Sequence, residues 1–399
     1  MRRLDCTSAP LRVASIGLFS SCLALSAACS PRPDTATQNE PPTGASEAVA
    51  DPEPAKAAAQ PAALAKADAV EDDDVVAIED EPEPVVDPLG PVSDEIRERF
   101  SNLPRDPKPD ELIRNSHYWI SNELNQDLWH EHIAELGGAY LGVGTDQNYL
   151  LAAWAKSDFM VVVDFDAAIA DLHQVYLLFF DEAETYEDFF QRWSPEREEE
   201  GLALIDEKLG ERPDHKNIRK SYKIARQLVW ARLRKVRKIY PERGIATFVS
   251  DQAQYDHIRK LTRSGRVYAL RGDFTANETM VAVGKAMNES GLSFNVIYLS
   301  NVEQYVDYTP QWRRNFIGLP VGEKSVVVRT LGWGAFGFAP DEEYHYNVQP
   351  APKFQEWLAT SRVTNLPRML HFRTKTDVQG LSLLDGEVKP SKNPPVVAE

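Results

Sequence analysis

Residues 139–166, AYLGVGTDQNYLLAAWAKSDFMVVVDFD, decide the fold. Ala139 to Val143 is a short apolar run closed by glycines, Asn148 to Lys156 has helical spacing, and Phe159 to Val163 is a β-branched run. Strand, glycine turn, helix and strand in so short a stretch make a βαβ unit, and its compactness implies parallel strands. Upstream, Ser93 to Phe100 is an amphipathic opening. Downstream, Val267–Leu270, Thr279–Glu289, Phe294–Leu299, Gln311–Ile317 and Ser325–Arg329 read alternately as strand and helix. The expectation is an α/β domain over 96–375, a mostly parallel Rossmann-like sheet with helices on both faces. A markedly helical stretch at 167–265 lies between its halves, with an insertion at about 184–265, and residues 376–399 read as a tail.

The same corner carries the candidate chemistry. Gly142-Val143-Gly144 ends a strand ahead of a helix, where glycines permit a tight turn and let a ligand approach the amides at the helix start. Asp164 ends the next strand twenty residues beyond Gly144, the spacing at which an acidic side chain meets ribose hydroxyls. A second reading stays open: the glycines serve close strand–helix packing and Asp164 caps the following helix.

The order GVGTDQN, VVVDFD, RGDF and YLSNVEQY resembles class I S-adenosylmethionine-dependent methyltransferase architecture. More closely, it resembles a family of bacterial exported or lipoprotein-like proteins with that fold. These pair an upstream SNE, here Ser121-Asn122-Glu123, with a GVG-x-x-QN turn and a YLSN-x-E-x-Y strand end. The resemblance covers about residues 115–370. It implies that Gly142, Gly144, Asp146, Gln147, Asn148, Asp164 and Asp273 surround S-adenosylmethionine or a related nucleotide. Gly142 and Gly144 would sit by its amino-acid portion, Asp164 on the ribose and Asp273 facing the adenine. Ser300, Asn301, Glu303 and Tyr305 would lie on the methyl-acceptor side; for Asn301 and Glu303, holding the turn is an equal alternative. Two positions depart from the methyltransferase pattern: Tyr140 stands where an acidic residue is usual, and the third glycine of the loop is missing.

The amino-terminal region has a different character. Met1 to Arg12 is basic, Val13 to Ala28 is an apolar, small-residue run too short for a comfortable membrane span, and Cys29 follows. Leu25-Ser26-Ala27-Ala28-Cys29 resembles a bacterial lipobox, which implies a signal peptide at 1–28, lipidation of Cys29 and a place in the cell envelope; simple secretion after Ala28 is the alternative. The remaining cysteines, Cys6 and Cys22, both precede Cys29, so no intrachain disulfide or cysteine nucleophile is expected beyond it. Residues 30–95 hold 11 of the 27 prolines, and residues 30–100 carry 18 acidic against 5 basic side chains. With so few apolar residues, 29–95 reads as a disordered, extended acidic linker. Most of the chain's net charge of −17 lies there. The balance argues against nucleic acid as a partner, because a phosphate backbone needs a basic surface.

One basic element stands out. At 216–240, Ile218, Tyr222, Ala225, Val229, Val236 and Tyr240 recur at helical spacing, and lysines and arginines fill the other faces. The helix reads either as a grip on anionic lipid or an acidic partner, or as a solvated face balanced by Glu182, Glu184, Glu187 and Glu196–Glu200. His130 and His132 fall on different helix faces with no third ligand, so no metal is expected. His173, among Leu172, Val175 and Tyr176, reads as a core histidine bonded to backbone, and Trp312, Trp333 and Trp357 as core packing. GxSxG, HExxH and P-loop motifs are missing. The sequence therefore leaves two functions: a methyltransferase, for which export away from the cytoplasmic cofactor supply is a difficulty, and a non-catalytic anchored binding module.

Overall fold

A computed structural model describes residues 87–388, 391–395 and 397. The stretch read as a signal peptide (1–28), Cys29 and the stretch read as a linker as far as residue 86 lie outside the described residues. Ser93 caps α1 (Asp94–Ser101), which leads to the one-turn α2 (His130–Ile133). The decisive βαβ unit follows as β1 (Ala139–Gly142), α3 (Gln147–Ala155) and β2 (Phe159–Asp164). Next come α4 (Ala167–Glu182), α5 (Tyr186–Gln191), α6 (Glu198–Leu209), α7 (His215–Glu242) and α8 (Gln252–Arg263). Alternation resumes with β3 (Val267–Arg271), α9 (Thr279–Glu289), β4 (Phe294–Tyr298), α10 (Pro310–Ile317) and β5 (Val321–Leu331). The chain closes with β6 (His345–Pro350), α11 (Ala351–Leu358), the short α12 (Leu366–Met369), β7 (Thr374–Lys375) and β8 (Leu381–Leu383).

The eight strands form one sheet in the order β3-β2-β1-β4-β5-β6-β8-β7. The first five are mutually parallel, and β6 turns antiparallel to β5. This is a mostly parallel α/β architecture, with the doubly wound order 3-2-1-4-5 and its switch point between β1 and β4. All residues of β1 and β2 are buried, as continuous apolar runs in a parallel sheet require. Helices α3, α4 and α8 pack together as one layer, α9, α10 and α11 as another. All nine residues of α3 are buried, because α2 and α8 also pack against it.

Composition misplaced both ends of the domain. Residues 87–95 read as linker, yet Val92 is buried, its N–H donates to the Ser264 carbonyl (3.0 Å), and Asp87 pairs with Lys260 (2.7 Å). The segment read as a tail supplies β8, which lies between β6 and β7 and runs parallel to β6. Trp312 and Trp357 are core residues, whereas Trp333 is 46% exposed.

Register sets the candidate site. Gly142 is level with Val162 on β2 and Tyr298 on β4. Two residues further along each strand, Gly144, Asp164 and Ser300 come together at the carboxyl edge of the sheet.

Candidate functional site

The glycine corner is filled from within. A Cβ on Gly142 would lie 2.0 Å from Asn148 Oδ1 and 2.6 Å from the Tyr140 ring. Asn148 Nδ2 donates to the carbonyls of Val143 (3.1 Å) and Thr145 (3.0 Å), and its Oδ1 accepts from the Tyr140 hydroxyl (3.0 Å). Gly144 takes a φ of +84°, which favours glycine, and Gln147 Nε2 sits where its Cβ would be. Gln147 Oε1 accepts the Thr145 amide (3.1 Å), and Asp164 Oδ2 accepts the Gly144 amide (3.2 Å). Two amides of the corner, those of Gly144 and Thr145, are thus already bonded to side chains of this chain.

The surrounding groups lock this arrangement. Burial lowers the His173 pKa to about 4, so the ring is neutral; its Nε2–H donates to the Gly144 carbonyl (2.8 Å) and Nδ1 accepts from Tyr149 (2.7 Å). Asp146 meets Arg232 of α7 at 2.9 Å with both side chains buried, and it also accepts the Ser121 amide. Arg232 donates onward to the Glu123 carbonyl (2.9 Å) and Gln126 (3.1 Å). Glu123 is fully buried and accepts from Tyr298 (2.7 Å), Thr330 (2.8 Å), Gln126 (2.9 Å) and Ser300 (3.0 Å). Burial raises its carboxyl above the ordinary value against these four neutral donors.

Beside the filled corner, a cleft of about 510 Å³ opens at the switch point. Of the expected residues, Gly144, Gln147, Asp164, Ser300, Asn301 and Tyr305 line it. Ser300 has a φ of +48°, an uncommon left-handed conformation for serine, with its hydroxyl turned to Glu123. Burial, reinforced by the neighbouring Asp166 carboxylate, pushes Asp164 up to about 7 against the backbone N–H groups of Asp166 and Gly144.

Five expected residues are placed elsewhere. Gly142 and Asn148 pack against each other beneath the turn, and Asp146 is committed to Arg232. Asp273 bonds the amide and hydroxyl of Thr275, while its own amide donates to Asp106, which also accepts the amides of Glu278 and Thr279 at the start of α9. Glu303 is a buried partner of Arg329 (3.0 Å) and Tyr308 (2.6 Å), a role that holds the turn. Proximity in sequence to a strand end did not reveal which way each side chain points.

Beside Asn301 and Tyr305, the cleft also contains residues that were not among the expected site residues. Asn122 and Asn301 reach the Tyr344 hydroxyl from two sides, at 2.8 and 3.5 Å, and Tyr118, Tyr305 and Tyr344 supply aromatic surface. Asp341, Glu342 and Glu343 add carboxylates, with Arg114 the cation among the described lining residues. Glu342 is tied to the Leu124 amide (2.8 Å) and Asn125 (2.6 Å), which fixes the 341–344 loop over the site. That loop lacks periodicity, and only the Ser121-Asn122-Glu123 motif hinted at its partner. On the far side of the 113–122 segment a second cleft of about 460 Å³ holds His117, whose Nδ1 lies 2.6 Å from Asp166. Among the described residues, no group of three or more His, Cys, Asp or Glu side chains is placed to hold a metal ion.

A doubly wound sheet with a cleft at its switch point defines a Rossmann-like α/β protein. The chain belongs to the family described as a domain of unknown function, DUF7790, whose model matches residues 118–385 and so takes in every strand and the whole helical insertion. No curated protein matches the chain.

Proposed function

We propose that this chain is an exported, lipid-anchored protein of the cell envelope whose folded domain is a non-catalytic module binding a small polar ligand that is not anionic. One observation carries the reading: the glycine corner is occupied by Gln147 and Asn148, and the Gly144 and Thr145 amides are taken by Asp164 and Gln147. The residues do not fit S-adenosylmethionine in the methyltransferase manner, since Asp146 is held by Arg232 and Asp273 turns to Thr275. The open volume beside the corner supports binding. Its three carboxylates Asp341, Glu342 and Glu343 against Arg114 disfavour a phosphate-bearing ligand.

Cofactor binding survives as a second reading on one point, that Asp164 does line the cleft. Calorimetry of the chain with S-adenosylmethionine and its demethylated product separates the two. The expected result is no heat at millimolar ligand. Heat that disappears in Asp164→Ala would restore the methyltransferase. The binding reading itself predicts that a small molecule copurifies and is released on denaturation, and that Asn301→Ala with Tyr305→Ala reduces its retention.

The anchor rests on Cys29 and the run before it. Among the described residues no helix is long and apolar enough to cross a membrane. Cys29→Ser is expected to shift the protein from the membrane fraction to the soluble fraction; retention in the membrane would count against acylation there.

A further inference from the structure

The outer face of α7 is not used by the cleft, and the basic residues of the helix as a whole are of two kinds. Arg219, Arg226, Arg232 and Arg237 have carboxylate partners in Asp206, Glu198, Asp146 and Glu187, at 2.5 to 3.1 Å. Lys216, Lys220, Lys223, Arg234, Lys235 and Lys238 are exposed and form no ion pair among the described residues. Balancing by neighbouring acids therefore explains the first set and not the second.

The second set is ordered along the helix. At about 100° per residue, all six fall within an arc of about 140°, and at about 1.5 Å per residue they extend over roughly 33 Å. Ile224 and Leu228, one turn apart, lie in the same arc and are 47% and 45% exposed. Lys216, Arg219, Lys220 and Lys223 with Ile224 border an open hollow of about 440 Å³. The opposite side of α7 is committed to the core through Ile218, Tyr222, Ala225, Val229, Leu233, Val236 and Tyr240.

We propose that this face of α7 lies against an anionic lipid surface. Lysines around two protruding aliphatic side chains suit a headgroup layer, where phosphates meet the ammonium groups and the aliphatic tips enter shallowly. An acidic protein would satisfy the charges but gives no reason for Ile224 and Leu228 to protrude among them. The proposal rests on the envelope reading only for the bilayer being within reach; the binding itself needs no acyl chain.

The test uses the chain carrying Cys29→Ser, so that acylation plays no part. Its partition onto vesicles of phosphatidylcholine with and without one-third phosphatidylglycerol is measured by sedimentation, and neutral vesicles report whatever the apolar run at 13–28 contributes. The expected result is preferential binding to the anionic vesicles, weakened by salt. Lys216→Gln, Lys220→Gln and Lys223→Gln combined should reduce that preference about a hundredfold, at about fivefold per charge. Ile224→Ser with Leu228→Ser should reduce it further at unchanged charge. Equal binding to both vesicle types, or a preference that the triple variant retains, overturns the proposal. Capture of polyglutamate without any vesicle preference overturns it in favour of an acidic protein partner. Failure of Cys29 acylation in cells would leave this result untouched, so the two readings fail separately.

Discussion

Asp164 concentrates the electrostatics of the site in one carboxyl. With a folded-state pKa of about 7, it holds a proton between about pH 4 and 7 that the unfolded chain has already released. Its contribution to stability therefore falls as pH rises through that window and levels off above it, by an amount on the order of a few kcal/mol. Asp171, raised to about 6 chiefly by burial, acts in the same direction. His173, lowered to about 4 by burial, acts in the opposite direction, because stability is lost as pH falls below the unfolded histidine value. The Asp164 share is isolated by comparing wild type with Asp164→Asn. At pH 5 the variant should be less stable by about 1 kcal/mol, the cost of one mismatched hydrogen bond. By pH 8 the deficit should shrink or reverse, read from urea midpoints; a pH-independent difference would mean that Asp164 is ionised throughout.

At the scale of elements, α7 does more than cover α4. Arg232 passes from α7 to the start of α3 and the 121–126 segment, holding Asp146, the Glu123 carbonyl and Gln126 together. Helical periodicity placed α7 but did not mark Arg232, like Arg226, as turned inward among so many basic residues. Its removal leaves Asp146 buried without a counter-charge, a situation that costs about 3–5 kcal/mol. Arg232→Met should lower stability by that order in urea unfolding, and adding Asp146→Asn should recover part of it. If Arg232→Met costs no more than Lys235→Met on the exposed face, the inward ion pair is not what fastens α7.

For the whole molecule, the carboxyl-terminal segment is structural. Leu381 and Leu384 are buried, the Leu384 amide donates to the Val348 carbonyl (2.8 Å), and β8 joins β6 to β7. Truncation after Lys375 removes both leucines and the strand. At about 1.5–3 kcal/mol per buried leucine, a loss of at least about 3 kcal/mol is expected. Calorimetric melting of the truncated chain should show the whole transition moved down; an unchanged midpoint would make the segment the appendage that its composition suggested.

The elements of the doubly wound core were legible because each announces itself locally. Phe159–Val163 is apolar on both faces, Thr279–Glu289 keeps its helical bounds, and the glycines mark the corner at Gly144. Strand-end position likewise brought Asp164, Ser300, Asn301 and Tyr305 to one cleft. What those groups face was decided only in three dimensions. Gln147 and Asn148 fold back over the glycines, Glu123 draws donors from β4 and β5, Arg232 arrives from 86 residues away to hold Asp146, and a three-residue strand near the end completes the sheet. Periodicity and turn chemistry are written in neighbouring residues, whereas hydrogen-bond partners and vacant space depend on segments that meet only when the chain is folded.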